Sequence, residues 1–166
     1  MSPATTSVTF GKSGLPGYEV GDKALPAVII IQEWWGVTEA CKEIAGIISD
    51  HGFRVLIPDL YKGKSTVEAE EAAHLMGALD FKAAVGEISE ACEYLKATGS
   101  PKVAIAGFCM GGALTLAAAS EGVAVCAAAP FYGIPDARYF DRTTPRQRRY
   151  TPKQRTTPRQ RRYTPK

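Results

Sequence analysis

The sequence is poor in the features that most quickly assign a function. It has two histidines, His51 and His74, and four cysteines, Cys41, Cys92, Cys109 and Cys126. No cysteine belongs to a C-x-x-C pair, and no Cys/His spacing suits zinc, so neither a metal nor an organic cofactor is expected. Long apolar runs are missing: the longest, residues 24–31, has the length of a strand and contains Pro26, far short of a membrane span. Residues 1–10 lack a basic segment followed by an apolar one, the pattern of a secretory leader. These absences predict a soluble, cytoplasmic protein with reduced thiols and no membrane association. Three of the four cysteines, all but Cys109, read as small buried hydrophobes.

Acidic residues are also missing from one part of the chain. Residues 142–166 hold ten Lys and Arg and no Asp or Glu, which leaves 10 basic against 17 acidic residues, or −7, for residues 1–141. The overall +3 thus joins an acidic body to a basic tail. The tail repeats RTTPRQRRYTPK twice, 13 residues apart. Each copy has two prolines and no aliphatic residue, so nothing is available to bury, and disorder is the expectation. The reading is one domain over 1–141 and a disordered tail over 142–166. Such a tail can neutralise phosphates, with Tyr150 and Tyr163 to stack on bases, but a simple repeat without a nucleic-acid partner is the favoured reading.

The body alternates strand and helix signals. Residues 27–32 (AVIIIQ) form a β-branched run of the kind buried on both faces. Thr38 can cap a helix through Cys41, Ile44, Ile47 and Ile48, with Gly52 at its stop. Residues 53–57 form a strand ended by Pro58, 68–79 and 82–97 form helices, 103–106 a strand, 113–119 a helix interior and 123–131 a third buried-type strand. This alternation predicts a parallel sheet covered by helices on both faces. Ligands in such sheets bind beyond the carboxyl ends of the strands.

The strongest motif is Gly107-Phe108-Cys109-Met110-Gly111-Gly112, between a strand and a helix. This is the G-x-nucleophile-x-G turn, with Cys where Ser is more usual. Side chains at 107 and 111 would clash with neighbouring backbone in so sharp a turn. The helix N-terminus favours a thiolate, and the Met110 N–H lies where an oxyanion would form. The segment lacks the middle glycine of a dinucleotide fingerprint, and no Lys-Ser/Thr follows as in a phosphate loop.

Four segments in order resemble the dienelactone hydrolase family of α/β-hydrolases over residues 8–135. They are Gln32-Glu33-Trp34-Trp35-Gly36-Val37 after the first strand, Pro58-Asp59-Leu60-Tyr61 after the second, the Gly107–Gly112 turn, and Phe131-Tyr132-Gly133 after the last strand. The resemblance implies an α/β-hydrolase three-layer sandwich with a mostly parallel sheet. It implies lactone or ester hydrolysis on a small molecule, with Cys109 as nucleophile and Glu33 modulating its thiol. Trp34 and Met110 would supply backbone N–H groups to the oxyanion, and Trp35 would wall the substrate pocket.

The resemblance also implies an Asp and a His after the nucleophile, with further strands. Both histidines precede Cys109 and are expected to be structural or surface residues. Asp136 and Asp141 follow the Tyr-Gly segment too soon and read as exit-loop residues. The expected fold is therefore incomplete at its C-terminal end, with an exposed sheet edge and impaired turnover. A catalytically inactive derivative that binds anions through its tail is the alternative, and a redox role for Cys109 ranks last.

Overall fold

The computed structural model describes residues 5–137. The boundary expected at 141, Asp141 and the basic repeat with its two tyrosines lie outside the described residues. Six strands form one sheet: β1 Thr6–Phe10, β2 Leu15–Val20, β3 Ala27–Ile31, β4 Arg54–Pro58, β5 Val103–Phe108 and β6 Ala127–Phe131. Their order is β1-β2-β4-β3-β5-β6. Strands β4, β3, β5 and β6 run parallel, and β1 and β2 add an antiparallel flank. The helices are α1 Glu39–Asp50, α2 Ala69–Ala78, α3 Phe81–Ala97 and α4 Met110–Glu121.

The layers follow from the pleat. Ile29 and Ile31 of β3 join a cluster with α3 and α4, while Ile30 joins Cys41 and Ala45 of α1 on the opposite face. Alternation along a strand sends successive side chains to opposite faces, so an unbroken apolar run suits a strand covered on both. All three isoleucines are buried, and each contributes roughly 1.5–3 kcal/mol by leaving water.

The helices end where local chemistry stops them. Thr38 Oγ1 accepts the Cys41 N–H at 3.3 Å, and Gly52 leaves α1 with φ 85°. Asp80 caps α3 by accepting the Lys82 and Ala83 N–H groups, each at 3.0 Å. The buried residues of α3, Ala84, Val85, Ile88, Ala91, Cys92 and Leu95, recur at helical spacing and form one stripe facing the sheet.

Two features depart from the sequence reading. The β1–β2 hairpin was not expected. Strand β1 buries only Phe10, so its apolar pattern is faint, and Pro16 and Gly17 interrupt the signal of β2. Gly17 is nevertheless required, because a Cβ there would lie 2.8 Å from the Ile57 carbonyl oxygen. The second departure is the last strand. The run 123–131 was read as a buried-type strand, but β6 starts at Ala127 and all five of its residues are exposed. It pairs with β5 on one side, and among the described residues no strand lies on the other.

Opposite that bare edge, Arg54 is fully buried. Its Nη2 meets Glu19 Oε2 at 2.8 Å, its Nη1 donates to the Leu95 carbonyl and to Ser100 Oγ, each at 3.3 Å, and Tyr94 O–H donates to Glu19 Oε2 at 3.1 Å. This network ties β2, β4 and α3 together.

Candidate active site

Strands β3 and β5 are neighbours in register, with Ile31 opposite Gly107. The loops that leave their carboxyl ends therefore emerge side by side. Gly111 sits where the two loops touch: a Cβ on it would lie 2.4 Å from the Ile31 oxygen and 2.7 Å from that of Gln32. A third loop closes the arrangement, since a Cβ on Gly133 would lie 1.9 Å from the Cys109 oxygen. Glycine at 111 and 133 is thus the condition for bringing loops 32–36, 107–112 and 131–133 together.

Cys109 is the cap of α4 and has φ 53° and ψ −119°. Positive φ in a non-glycine residue is a strained state that persists only when its surroundings enforce it. The enforcing contacts are the Cys109 N–H, which donates to the Phe131 oxygen at 3.1 Å, and the Cys109 oxygen, which accepts the Ala113 N–H at 3.0 Å. Cys109 is partly exposed.

The first loop is a tight turn. The Gly36 N–H donates to the Glu33 oxygen at 3.2 Å, and Gly36 has φ 89°. Trp34 and Trp35 pack edge to face with ring centroids 4.8 Å apart, and Trp34 leans on the α3/α4 core. The Trp35 oxygen accepts the Thr66 N–H at 3.0 Å, which binds this turn to the chain after β4.

The Pro58–Tyr61 segment has a positioning role that its sequence alone conceals. The Asp59 carboxylate accepts the Tyr61 N–H at 3.2 Å and the Gly63 N–H at 2.7 Å, which fixes the turn. The Leu60 N–H donates to Gln32 Oε1 at 3.0 Å, and Tyr61 O–H donates to the Met110 sulfur at 3.3 Å. One short turn therefore grips both the Glu33 loop and the residue after Cys109. Burial pushes the Tyr61 hydroxyl up to about 12, so it stays a donor.

Glu33 is partly exposed, and its Oε1 accepts Tyr132 O–H at 3.2 Å. Tyr132 was quoted only as part of a motif, not as a site residue. Its φ is 39°, and its hydroxyl is raised above the ordinary tyrosine range. Partial loss of water comes first among the causes, then the Glu33 charge and hydrogen bond, then the charge of Cys109. Tyr132 thus bridges the neighbourhoods of Glu33 and Cys109. The only hint in the sequence was its position straight after a strand carboxyl end.

The histidines stand at the end of α1 and within α2. His51 caps the end of α1, its Nδ1 2.8 Å from the Ile47 oxygen, and His74 is exposed on α2. Because α1 runs back antiparallel to β3, its end lies toward the amino ends of the strands, away from Cys109. A cavity of about 880 Å³ also opens at that amino end, and Cys109 does not line it.

The family model for the dienelactone hydrolase family matches residues 15–159. The chain belongs to the dienelactone hydrolase family. A candidate carboxymethylenebutenolidase of Aquifex aeolicus is 37% identical over 145 residues, 77% of this chain and 61% of that protein. The carboxymethylenebutenolidase of Pseudomonas putida is 32% identical over 120 residues, 66% of this chain and 50% of that protein. The crystal structure of a candidate dienelactone hydrolase from Klebsiella pneumoniae superposes with TM-score 0.70 at 22% identity, covering 78% of this chain and 60% of that one. That likeness attests the α/β-hydrolase fold. The chain spans between about half and two thirds of the length of these relatives.

Within the family fold, Glu33, Trp34 and Trp35 fall on the loop after β3, and Cys109 and Met110 on the adjoining junction where β5 gives way to α4. No described helix is long and apolar enough to cross a membrane.

Proposed function

We propose that the protein acts in the cytoplasm on a small lactone or ester, with Cys109 as the nucleophile. The observation that carries this reading is the strained Cys109 backbone, held by Phe131 and Ala113 at a strand–helix turn. The Cys109 sulfur, as thiolate, attacks the carbonyl carbon and forms a tetrahedral oxyanion. The N–H groups of Trp34 and Met110 receive that charge, and Trp35 walls the acyl side. The oxyanion collapses, the C–O bond to the leaving group breaks, and the alkoxide takes a proton. Water then hydrolyses the thioester, releasing the carboxylic acid and restoring the thiol.

Glu33 modulates the resting thiol, and Tyr132 sets the direction of its carboxylate. Neither His51, at the end of α1, nor His74, exposed on α2, is assigned as base for the second step. The 166-residue chain alone is therefore expected to acylate faster than it turns over.

Stopped-flow mixing with p-nitrophenyl acetate tests this. The expected record is a burst of about one equivalent followed by a slow phase, with the acetyl group mapped to Cys109 by peptide mass. The Cys109→Ala variant should lose the burst and the adduct. An undiminished burst in that variant overturns the assignment. Fast steady turnover in the unaltered chain overturns the expectation of impairment.

A further inference from the structure

The two oxyanion donors of the proposed reaction, the Trp34 and Met110 N–H groups, come from separate stretches of chain. Met110 opens α4, so its N–H has no helical carbonyl to receive it. Trp34 stands in the turn that the Gly36 N–H closes onto the Glu33 oxygen. Only tertiary contacts can fix the gap between them. A donor stabilises an oxyanion best when it is aimed before the charge arrives.

The turn after β4 spans that gap. The Leu60 N–H donates to Gln32 Oε1 at 3.0 Å, on the Trp34 side, and Tyr61 O–H donates to the Met110 sulfur at 3.3 Å, on the other. Leu60 and Tyr61 are consecutive, so one peptide unit and one tyrosine ring, both planar, separate the two contacts. Gln32, Leu60, Tyr61 and Met110 are all buried, which keeps water from competing for either bond.

The turn is itself fixed from several sides. The Asp59 N–H donates to the Pro16 oxygen of β2 at 2.9 Å, and the Lys62 N–H to the Asp59 oxygen at 3.1 Å. The buried Asp59 carboxylate holds the Tyr61 and Gly63 N–H groups. Lys62, with φ 55°, pairs with Glu87 of α3 at 3.3 Å. Gln32 carries a cost for its part. Among the described residues its buried Nε2 has no hydrogen-bond partner, a penalty that an apolar side chain would avoid.

We propose that Gln32 and Tyr61 are positioning residues of the oxyanion site, and that the turn 59–63 is the spacer that holds the Trp34 and Met110 N–H groups at a fixed gap. This rests on Cys109 as the nucleophile. Neither side chain touches the reacting atoms. Tyr61 acts through the Met110 side chain on the N–H of the same residue, and Gln32 acts through the chain two residues before Trp34. Both bear on the step in which negative charge gathers on the carbonyl oxygen, and not on the reactivity of the sulfur itself.

Two reagents separate those effects. p-Nitrophenyl acetate and iodoacetamide both consume the Cys109 thiolate. Only the ester passes through an oxyanion, because iodoacetamide is attacked at a saturated carbon from which iodide leaves. Both rates at Cys109 are followed in the reduced full chain by peptide mass after trypsin and Glu-C. Cys126, expected to be a buried hydrophobe, is exposed, and cleavage after Glu121 separates it from Cys109. Tyr61→Phe keeps the ring and removes the hydroxyl, while Met110→Leu keeps the N–H and removes the sulfur. A thioether is a weak acceptor, so each should slow acylation about 3- to 10-fold and leave alkylation at the unaltered rate. The double variant should be no slower than the slower single one, since both remove the same bond. Gln32→Met should slow acylation by about 10-fold or more, again without slowing alkylation. The proposal is overturned if, in Tyr61→Phe or Gln32→Met, acylation stays at the unaltered rate or falls together with alkylation. In that case Cys109 stands as nucleophile. An acetyl group that maps to another residue in the unaltered chain overturns the nucleophile assignment, and the spacer with it.

Discussion

The two flanks of the sheet are built on opposite terms. On one side, β2 and β4 enclose Arg54, Glu19 and the aliphatic residues of β4, all five residues of which are buried. On the other, β6 is exposed throughout. Yet the candidate site leans on the bare flank, since Phe131 and Gly133 of that side hold Cys109 and Tyr132 reaches Glu33. Burial is concentrated on the closed flank, while the site draws on both: the turn after β4 grips Gln32 and Met110, and the end of β6 holds Cys109. The closed flank holds the buried ion pair, and the open flank supplies the carbonyl that accepts the nucleophile's own N–H.

Substitutions on the two flanks should separate those roles. The largest expected loss of stability is for Glu19→Gln, which leaves the Arg54 guanidinium buried beside a neutral partner. Breaking one half of a buried ion pair costs about 3–5 kcal/mol, and urea melts should show it. Gly111→Ala comes next. Its methyl would press on the Ile31 and Gln32 carbonyls, and crowding of this kind costs about 1–3 kcal/mol, with slower acylation than that stability loss alone explains. Ala129→Lys on β6 should stay within about 0.5 kcal/mol of the unaltered chain, as exposed substitutions do. A loss there as large as that of Glu19→Gln would erase the contrast.

Thiol chemistry sharpens the comparison in a different way. Cys41, on the buried face of α1, is pushed up to about 12, by burial first and by the Glu33 charge second, with Lys42 opposing. The folded chain keeps this proton at pH values where the unfolded chain has lost it. Its contribution to stability is full below about pH 9 and is lost as pH rises toward 12. Cys41→Ala should flatten the stability profile in that window. In the native chain at neutral pH, Ellman's reagent should reach Cys109 and Cys126 and spare Cys41 and Cys92 until denaturant is added. Rapid reaction of all four would show that the closed flank opens as readily as the bare one.

Much of this was legible in the sequence because the signals were local. The isoleucine run of β3, Thr38 as a cap, Gly52 as a stop and the glycines around Cys109 each impose their structure within a few residues. The hairpin was not legible, since β1 has one buried residue and β2 carries Pro16 and Gly17. Exposure of β6 was not legible either: AVCAAAPF reads as interior, and only the pairing partners decide whether it is. The site was legible as two loops. The grip of Leu60 on Gln32, of Tyr61 on Met110 and of Tyr132 on Glu33 was not, because each joins residues 28 to 99 positions apart.

The hydrogen bond from the Cys109 N–H to the Phe131 oxygen makes the bare strand a mooring for the nucleophile turn. The positive φ of Cys109 is held by that bond together with the one from the Ala113 N–H to the Cys109 oxygen. Among the described residues β6 is paired on one side only, so the nucleophile's backbone is anchored to a strand that is itself held from one side.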